Sequence, residues 1–164
     1  MKCADIEGLM ELAISKALQG IDRGQAPFGA VIARPDDDGG YDVISCEHNE
    51  VWANTDITEH AEVNAIRQAC SKLGCIKLTD CIIVSTTEPC PMCFSAIHWA
   101  GIKKIYFGAS IADAQKAKFN ELTISNEMMK ELGGSPVDIE GGLLAGKNRE
   151  LFIKWEKKGR GKTY

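Results

Sequence analysis

Apolar residues recur at steps of three and four from Ile6 to Ile21, through Leu9, Met10, Ala13, Ile14, Ala17 and Leu18, which draws one stripe along a helix over residues 4 to 22. Asp5 stands where a helix cap belongs, and Gly24 lies just past the end. Pro27-Phe28-Gly29-Ala30-Val31-Ile32-Ala33 then runs apolar, as a buried strand does, and Tyr41-Asp42-Val43-Ile44-Ser45 follows as a second strand. Between them Pro35-Asp36-Asp37-Asp38-Gly39-Gly40 is dense in turn formers, so the pair reads as a hairpin. Its three aspartates lack the spacing and terminal glutamate of a calcium loop.

Residues 49 to 56 read as polar loop. A second helical stripe starts after Thr58 and runs through Val63, Ile66, Ala69, Cys70 and Leu73 to Gly74. Cys81-Ile82-Ile83-Val84-Ser85 is continuously apolar, the mark of a strand covered on both faces. Pro91 to Ala100 predicts a short helix, with proline at its favoured first position and Gly101 past its end. Lys103 to Gly108 is the next strand, and strand, helix, strand predicts a right-handed parallel crossover. Beyond Gly108 the pattern weakens to helices over 111 to 118 and 125 to 132, a break at Gly133 to Pro136, and a strand at Val137 to Ile139. Leu151, Phe152 and Trp155 place a last helix over 146 to 158. Nothing resembling a linker or repeat interrupts this order, so 1–164 reads as a single domain.

Composition narrows the function. A net charge of -4 argues against a dedicated nucleic-acid binder, although Lys154, Lys157, Lys158, Arg160 and Lys162 make the C-terminal stretch locally basic. No apolar run approaches the roughly 20 residues that cross a bilayer, and the first five residues lack the layout of a secretory signal. Seven cysteines make an odd number with no disulfide-scaffold spacing, which points to a reducing, cytoplasmic setting. Of these, Cys70, Cys75 and Cys81 read as small buried hydrophobes.

Cys90 and Cys93 read differently. Together with His60 they offer an imidazole and two thiols two residues apart, a donor set suited to zinc. Cys90 occupies a helix-cap position and Cys93 follows one turn later on the same side, where helix-start amides favour thiolates. Structural zinc closes four protein ligands, whereas catalytic zinc leaves one position for water. Three ligands are evident here. His98 points away from the thiol pair on its helix, and His48 is remote, so an open, catalytic site is the first reading and a hidden fourth ligand the second. Glu62, two residues from His60, does not share its helix face, but as a base it has to reach only the water beside the metal.

His60-Ala61-Glu62 and Pro89-Cys90-Pro91-Met92-Cys93 match the H-x-E…P-C-x-x-C signature of zinc nucleobase deaminases. The chain resembles the cytidine deaminase superfamily and, within it, the bacterial guanine deaminase branch. The resemblance is carried by Thr58 to Arg67, by Thr87 to Ala100 and by Pro27 to Ile32, and extends over about residues 5 to 123. It implies a three-layer α/β/α sandwich with a mixed five-stranded sheet and the hydrolytic release of an amine as ammonia. By position it implies His60, Cys90 and Cys93 as ligands of one zinc per subunit and Glu62 as proton shuttle. It further implies Asn49, the Ala61 amide, Phe28 and Trp99 around the base.

Phe119-Asn120-Glu121 falls where that branch often carries Phe-Asp-Asp, whose last acidic residue assists the departing amino group, and implies Glu121 in that role. The branch also exchanges a C-terminal segment within a homodimer, here about 146 to 164, with Tyr164 closing the partner's pocket. Residues 133 to 150 depart from the family pattern. The expected substrate is a small purine, guanine first, with guanosine or an aminotriazine as neighbours. Adenosine in tRNA and a non-enzymatic, zinc-stabilised interaction domain are the alternatives.

Overall fold

In the computed structural model, which describes residues 1–159 and 162–164, the expected elements are present with modest shifts at their ends. Their order is β1 (Lys2–Cys3), α1 (Ile6–Asp22), β2 (Gly29–Pro35), β3 (Tyr41–His48), α2 (Val51–Asn54), α3 (Ala61–Leu73), β4 (Ile82–Thr87), α4 (Pro91–Ala100), β5 (Lys104–Ala109), α5 (Ile111–Lys116), α6 (Asn126–Gly133), β6 (Asp138–Glu140) and α7 (Ala145–Lys157). Asp5 caps α1 by accepting from the Gly8 amide, and Gly74 and Gly101 close α3 and α4 at positive φ.

The sheet is mixed and runs β1-β3-β2-β4-β5-β6. β2 pairs antiparallel with β3 and β4, while β4-β5 and β5-β6 are parallel. Five of these strands are the anticipated ones. The sixth is β1, whose two residues pair with Asp42 and Tyr41 at the edge and are too few to show any periodicity. The stretch 49 to 56 is likewise not all loop. Gln25 Oε1 accepts from the Trp52 and Ala53 amides and so supports the single turn α2 from a distant part of the chain.

α1 and α7 pack together on the sheet, and α3 and α4 form the other paired layer. All six residues of β4 are buried, as a strand covered from both sides requires. Leu9, Met10, Ile32, Ile83, Ile97, Ile105 and Leu151 are among the fully buried side chains of the core. Cys81 is buried and Cys70 half-buried, but Cys75 is exposed, because it lies beyond the end of α3 and outside its apolar stripe.

α1 lies so close to β2 that a Cβ on Gly29 would stand 2.2 Å from the Ala13 carbonyl oxygen and 2.9 Å from the Ala17 amide nitrogen. Both atoms are helix backbone and cannot swing aside. Gly29→Ala is therefore expected to destabilise the fold by about 1–3 kcal/mol or more, the scale of an overpacked core, read as a lower midpoint in urea unfolding with an unchanged slope.

Candidate functional site

β4 delivers the chain to the site. Its carboxyl end leads through Glu88 and Pro89 to Cys90, the residue before α4, while His60 occupies the corresponding position before α3. Neither side chain makes a capping hydrogen bond with its own helix, so both remain available as ligands. Cys93 lies in the first turn of α4 and is fully buried.

The three donor atoms form a nearly equilateral triangle. Cys90 Sγ and Cys93 Sγ are 3.6 Å apart, and each lies 3.6 Å from His60 Nδ1. Tetrahedral zinc with its usual Zn–S and Zn–N lengths needs ligand separations of about 3.5–3.8 Å. The triangle fits one face of that tetrahedron, and no other group of three candidate ligands comes together among the described residues. His98 donates to or accepts from Ser135 Oγ at 2.9 Å, and His48 Nδ1 lies 2.7 Å from the Asn49 carbonyl oxygen, so neither supplies a fourth ligand.

The electrostatics agree with metal ligation. The neighbouring Cys93 thiol and then the His60 ring draw the Cys90 pKa down to about 4, against the opposing effect of burial. The negative Cys90, followed by burial, pushes Cys93 up. A dication resolves this competition by ionising a coordinating thiol outright.

Glu62 sits in the first turn of α3 and is buried. Its Oε1 accepts from Ser85 Oγ at 3.0 Å, and its Oε2 lies 3.5 Å from Cys93 Sγ, beside the donor triangle and outside it. Burial raises its pKa, with His60 opposing. Glu121 also reaches this space. Burial, then the charge of Cys90, raises its pKa to about 7.

Phe28, Glu62, Thr87, Glu88 and Glu121 surround a recess of about 10 Å³ over His60 and Cys90. It opens toward a cleft of about 310 Å³ rimmed by Ile57, Met92, Asn120, Leu122 and Tyr164.

Asn49 is completely buried, and its Oδ1 accepts from the Val51 amide at 3.2 Å. Its Nδ2 donates to the Tyr164 hydroxyl at 2.6 Å. The Tyr164 ring stands 5.5 Å from the His60 ring and 5.5 Å from Phe119, and its carbonyl oxygen accepts from the Asn120 amide. Tyr164 thus stands beside His60 at the cleft of its own chain, with its hydroxyl on Asn49. Ala61 is the first residue of α3, where an amide has no intrahelical acceptor.

Trp99 does not wall this pocket. It is 75% exposed and lines a separate groove with Phe94, His98 and Met129. The reason is helical phase: nine residues after Cys90, it projects from the opposite face of α4. Two contributors carry no signal of their role in the sequence. Ser85 ends an apolar strand run and reads as a boundary residue, while Glu88 sits inside the cysteine motif with no periodicity to mark its role.

A family model described as the cytidine and deoxycytidylate deaminase zinc-binding region matches residues 4–109. A guanine deaminase from Bacillus subtilis is 42% identical over 125 residues, covering 76% of this chain and 77% of that protein. A tRNA-specific adenosine deaminase from Agrobacterium fabrum is 40% identical over 100 residues, covering 61% and 62%. Among solved structures, a guanine deaminase from Nitrosomonas europaea superposes with a TM-score of 0.86 at 25% identity, covering 96% of this chain and 87% of that one.

Metal analysis of the purified protein is expected to find one zinc per chain, and Cys93→Ala to lose it. Chelation should lower stability by about 2.7 kcal/mol or more, the linkage expected of a ligand held at a hundredfold excess over its dissociation constant. A thermal melt with and without chelator reads the difference.

Proposed function

We propose that this chain, which belongs to the cytidine and deoxycytidylate deaminase zinc-binding family, converts guanine to xanthine with release of ammonia. The observation that carries this reading is that, of three carboxylates in one recess beside the donor triangle, two, Glu62 and Glu121, are not taken up by helix-start amides as Glu88 is. Hydrolytic loss of an amine needs one proton delivered to the ring and another to the departing nitrogen, and two carboxyl groups can divide that work. Its likeness to guanine deaminases over most of its length supports the choice of base.

Zinc, when bound, acidifies a water and supplies the nucleophile. Glu62 takes up a proton from the attacking water and passes it to the ring nitrogen beside the amino-bearing carbon. Glu121, largely desolvated, is suited to hold a proton and give it to the amino group as the carbon–nitrogen bond breaks. As the carbonyl of xanthine forms, the adduct's hydroxyl gives up the second water proton, which replaces the one Glu121 spent, and the amine leaves as ammonia. Asn49 Nδ2 and the Ala61 amide supply donors for the ring edge, and Phe28 offers an aromatic face.

Adenosine in tRNA is the second reading, favoured by Lys154, Lys157, Lys158 and Lys162 and by the likeness to a tRNA-specific deaminase. It requires salt-dependent binding to phosphates.

Exchange of residues 146–164 within a homodimer is part of the proposal. In the single chain α7 packs on its own β5 and α1. A swapped dimer makes identical contacts between subunits, so equilibrium sedimentation reads whether a dimer forms, and a cross-link from α7 to β5 that joins two chains rather than closing within one reads the exchange.

Ammonia release should be fastest with guanine in a screen that includes guanosine, adenosine, cytosine and cytidine; adenosine activity confined to tRNA would favour the second reading. Glu62→Gln should keep its zinc and lower turnover by about 10²–10⁴-fold, the usual worth of a positioned acid–base group. Undiminished ammonia release from the zinc-loaded variant would remove Glu62 from the mechanism. A zinc-replete wild type that releases no ammonia from any of these substrates would favour an interaction domain.

A further inference from the structure

Glu88 lines the recess but makes no contact with the donor triangle. Its carboxylate is spent elsewhere. Oε2 accepts from the Ile111 amide at 3.3 Å, and Oε1 accepts from the Asn126 amide at 2.9 Å. Ile111 is the first residue of α5 and Asn126 the first residue of α6. At these positions an amide has no acceptor within its own helix, and the helix dipole favours a negative partner. One carboxylate therefore answers two helix starts at once.

The consequence lies in what runs between those two amides. Residues 111 to 125 leave the carboxylate of Glu88 at α5 and return to it at α6, and Glu121 sits on the loop within that excursion. Between its ends the loop has other ties: Gln115 Nε2 donates to the Glu121 carbonyl oxygen at 3.4 Å, the Asn120 amide donates to the Tyr164 carbonyl oxygen at 3.1 Å, and Phe119 packs against Phe28, Trp155 and Tyr164, but only Glu88 holds both ends. The far side of the clamp is firm. The Glu88 amide donates to the Ala109 carbonyl oxygen at 2.8 Å, and Asn126 Nδ2 donates to the Pro89 carbonyl oxygen at 2.6 Å, next to Cys90.

We infer that Glu88 is a positioning residue that fixes the Glu121 segment against the Cys90 loop, and so sets where the second carboxylate stands relative to the reacting amine. This rests on Glu121 being the second proton carrier of the proposed reaction. A neutral side chain of the same shape weakens the clamp in a defined way. In Glu88→Gln the substituted side chain would keep one acceptor oxygen, while its amide group would meet a second N–H donor instead of pairing with it.

The test is a double-mutant cycle in guanine turnover, with zinc content measured on every variant. E88Q is expected to retain one zinc per chain and to lose about tenfold in kcat, the scale of one charge-assisted hydrogen bond, with KM changed by less than about twofold. In an E121Q background the same substitution should cost less than about twofold, since the group it positions no longer acts. Equal losses in both backgrounds would overturn the inference and leave Glu88 a structural brace. Loss of zinc from E88Q would also overturn it, because the carboxylate would then serve the metal loop.

The assignment of Glu121 is read separately: a wild-type rate for E121Q alone removes it, whatever E88Q does. If E88Q does not fold, Ile111→Pro removes one of the two donors at a helix position that accepts proline. The same non-additivity with E121Q is then expected, and additive losses again overturn the inference.

Discussion

Two helix starts meeting at one point is the constraint from which the rest of the structure follows. His60 precedes α3 and Cys90 precedes α4, and each occupies a cap position without capping its helix. A missing cap costs a helix about 1 kcal/mol. Ligation offsets that loss, and the amides at the two helix starts favour the negative charge that sulfur brings. Cys93 completes the triangle only because it follows Cys90 by one turn. The parallel β4-α4-β5 crossover places α4, and the packing of α3 on β2, β3 and β4 brings His60 to it. A shift in either helix would open the 3.6 Å triangle.

Burial then gives the carboxylates their character. Glu62 is held in a place where charge is disfavoured, yet Ser85 and the first turn of α3 keep it oriented. A carboxylate in water would be a poor proton carrier near neutral pH, whereas desolvation moves its affinity for protons toward the working range. Burial acts on Glu121 in the same direction, and with the charge of Cys90 raises its pKa to about 7. The recess is built by side chains distant in sequence, from Phe28 to Glu121.

The legible part of this molecule is its local part. The helices starting at Ile6, Ala61 and Pro91 declare themselves through periodicity and caps, and β4 through its continuous apolar run. The triad of donors is readable because residue type and spacing alone restrict what can bind a metal. What stays hidden depends on partners far along the chain. Gln25 supports α2 from 27 and 28 residues away, and Ser85 reaches Glu62 across 23. Resemblance puts Trp99 in the pocket, and the phase of α4 turns it outward. Resemblance singles out Glu121 and Tyr164, but only the fold brings Tyr164 against Asn49, His60 and Phe119 and Glu121 into the recess over His60.

That division bears on substrate choice. The donor triangle and Glu62 come from residues 60 to 93, inside the segment matched by the family model. The cleft rim draws on Asn120, Glu121, Leu122 and Tyr164, all beyond it. A guanine deaminase and a tRNA-specific adenosine deaminase, which by name act on different bases, both resemble this chain. Discrimination between bases is a difference in transition-state binding, and the groups that can make that difference are those whose positions vary while the metal stays put. Of the groups at the cleft, Asn120, Glu121 and Leu122 hang from the 117–125 loop and Tyr164 from the C-terminal residues, and the two segments touch through Asn120 and Tyr164. Exchanging the 117–125 loop with a relative should therefore move specificity without moving the zinc, because the loop contributes no ligand to it.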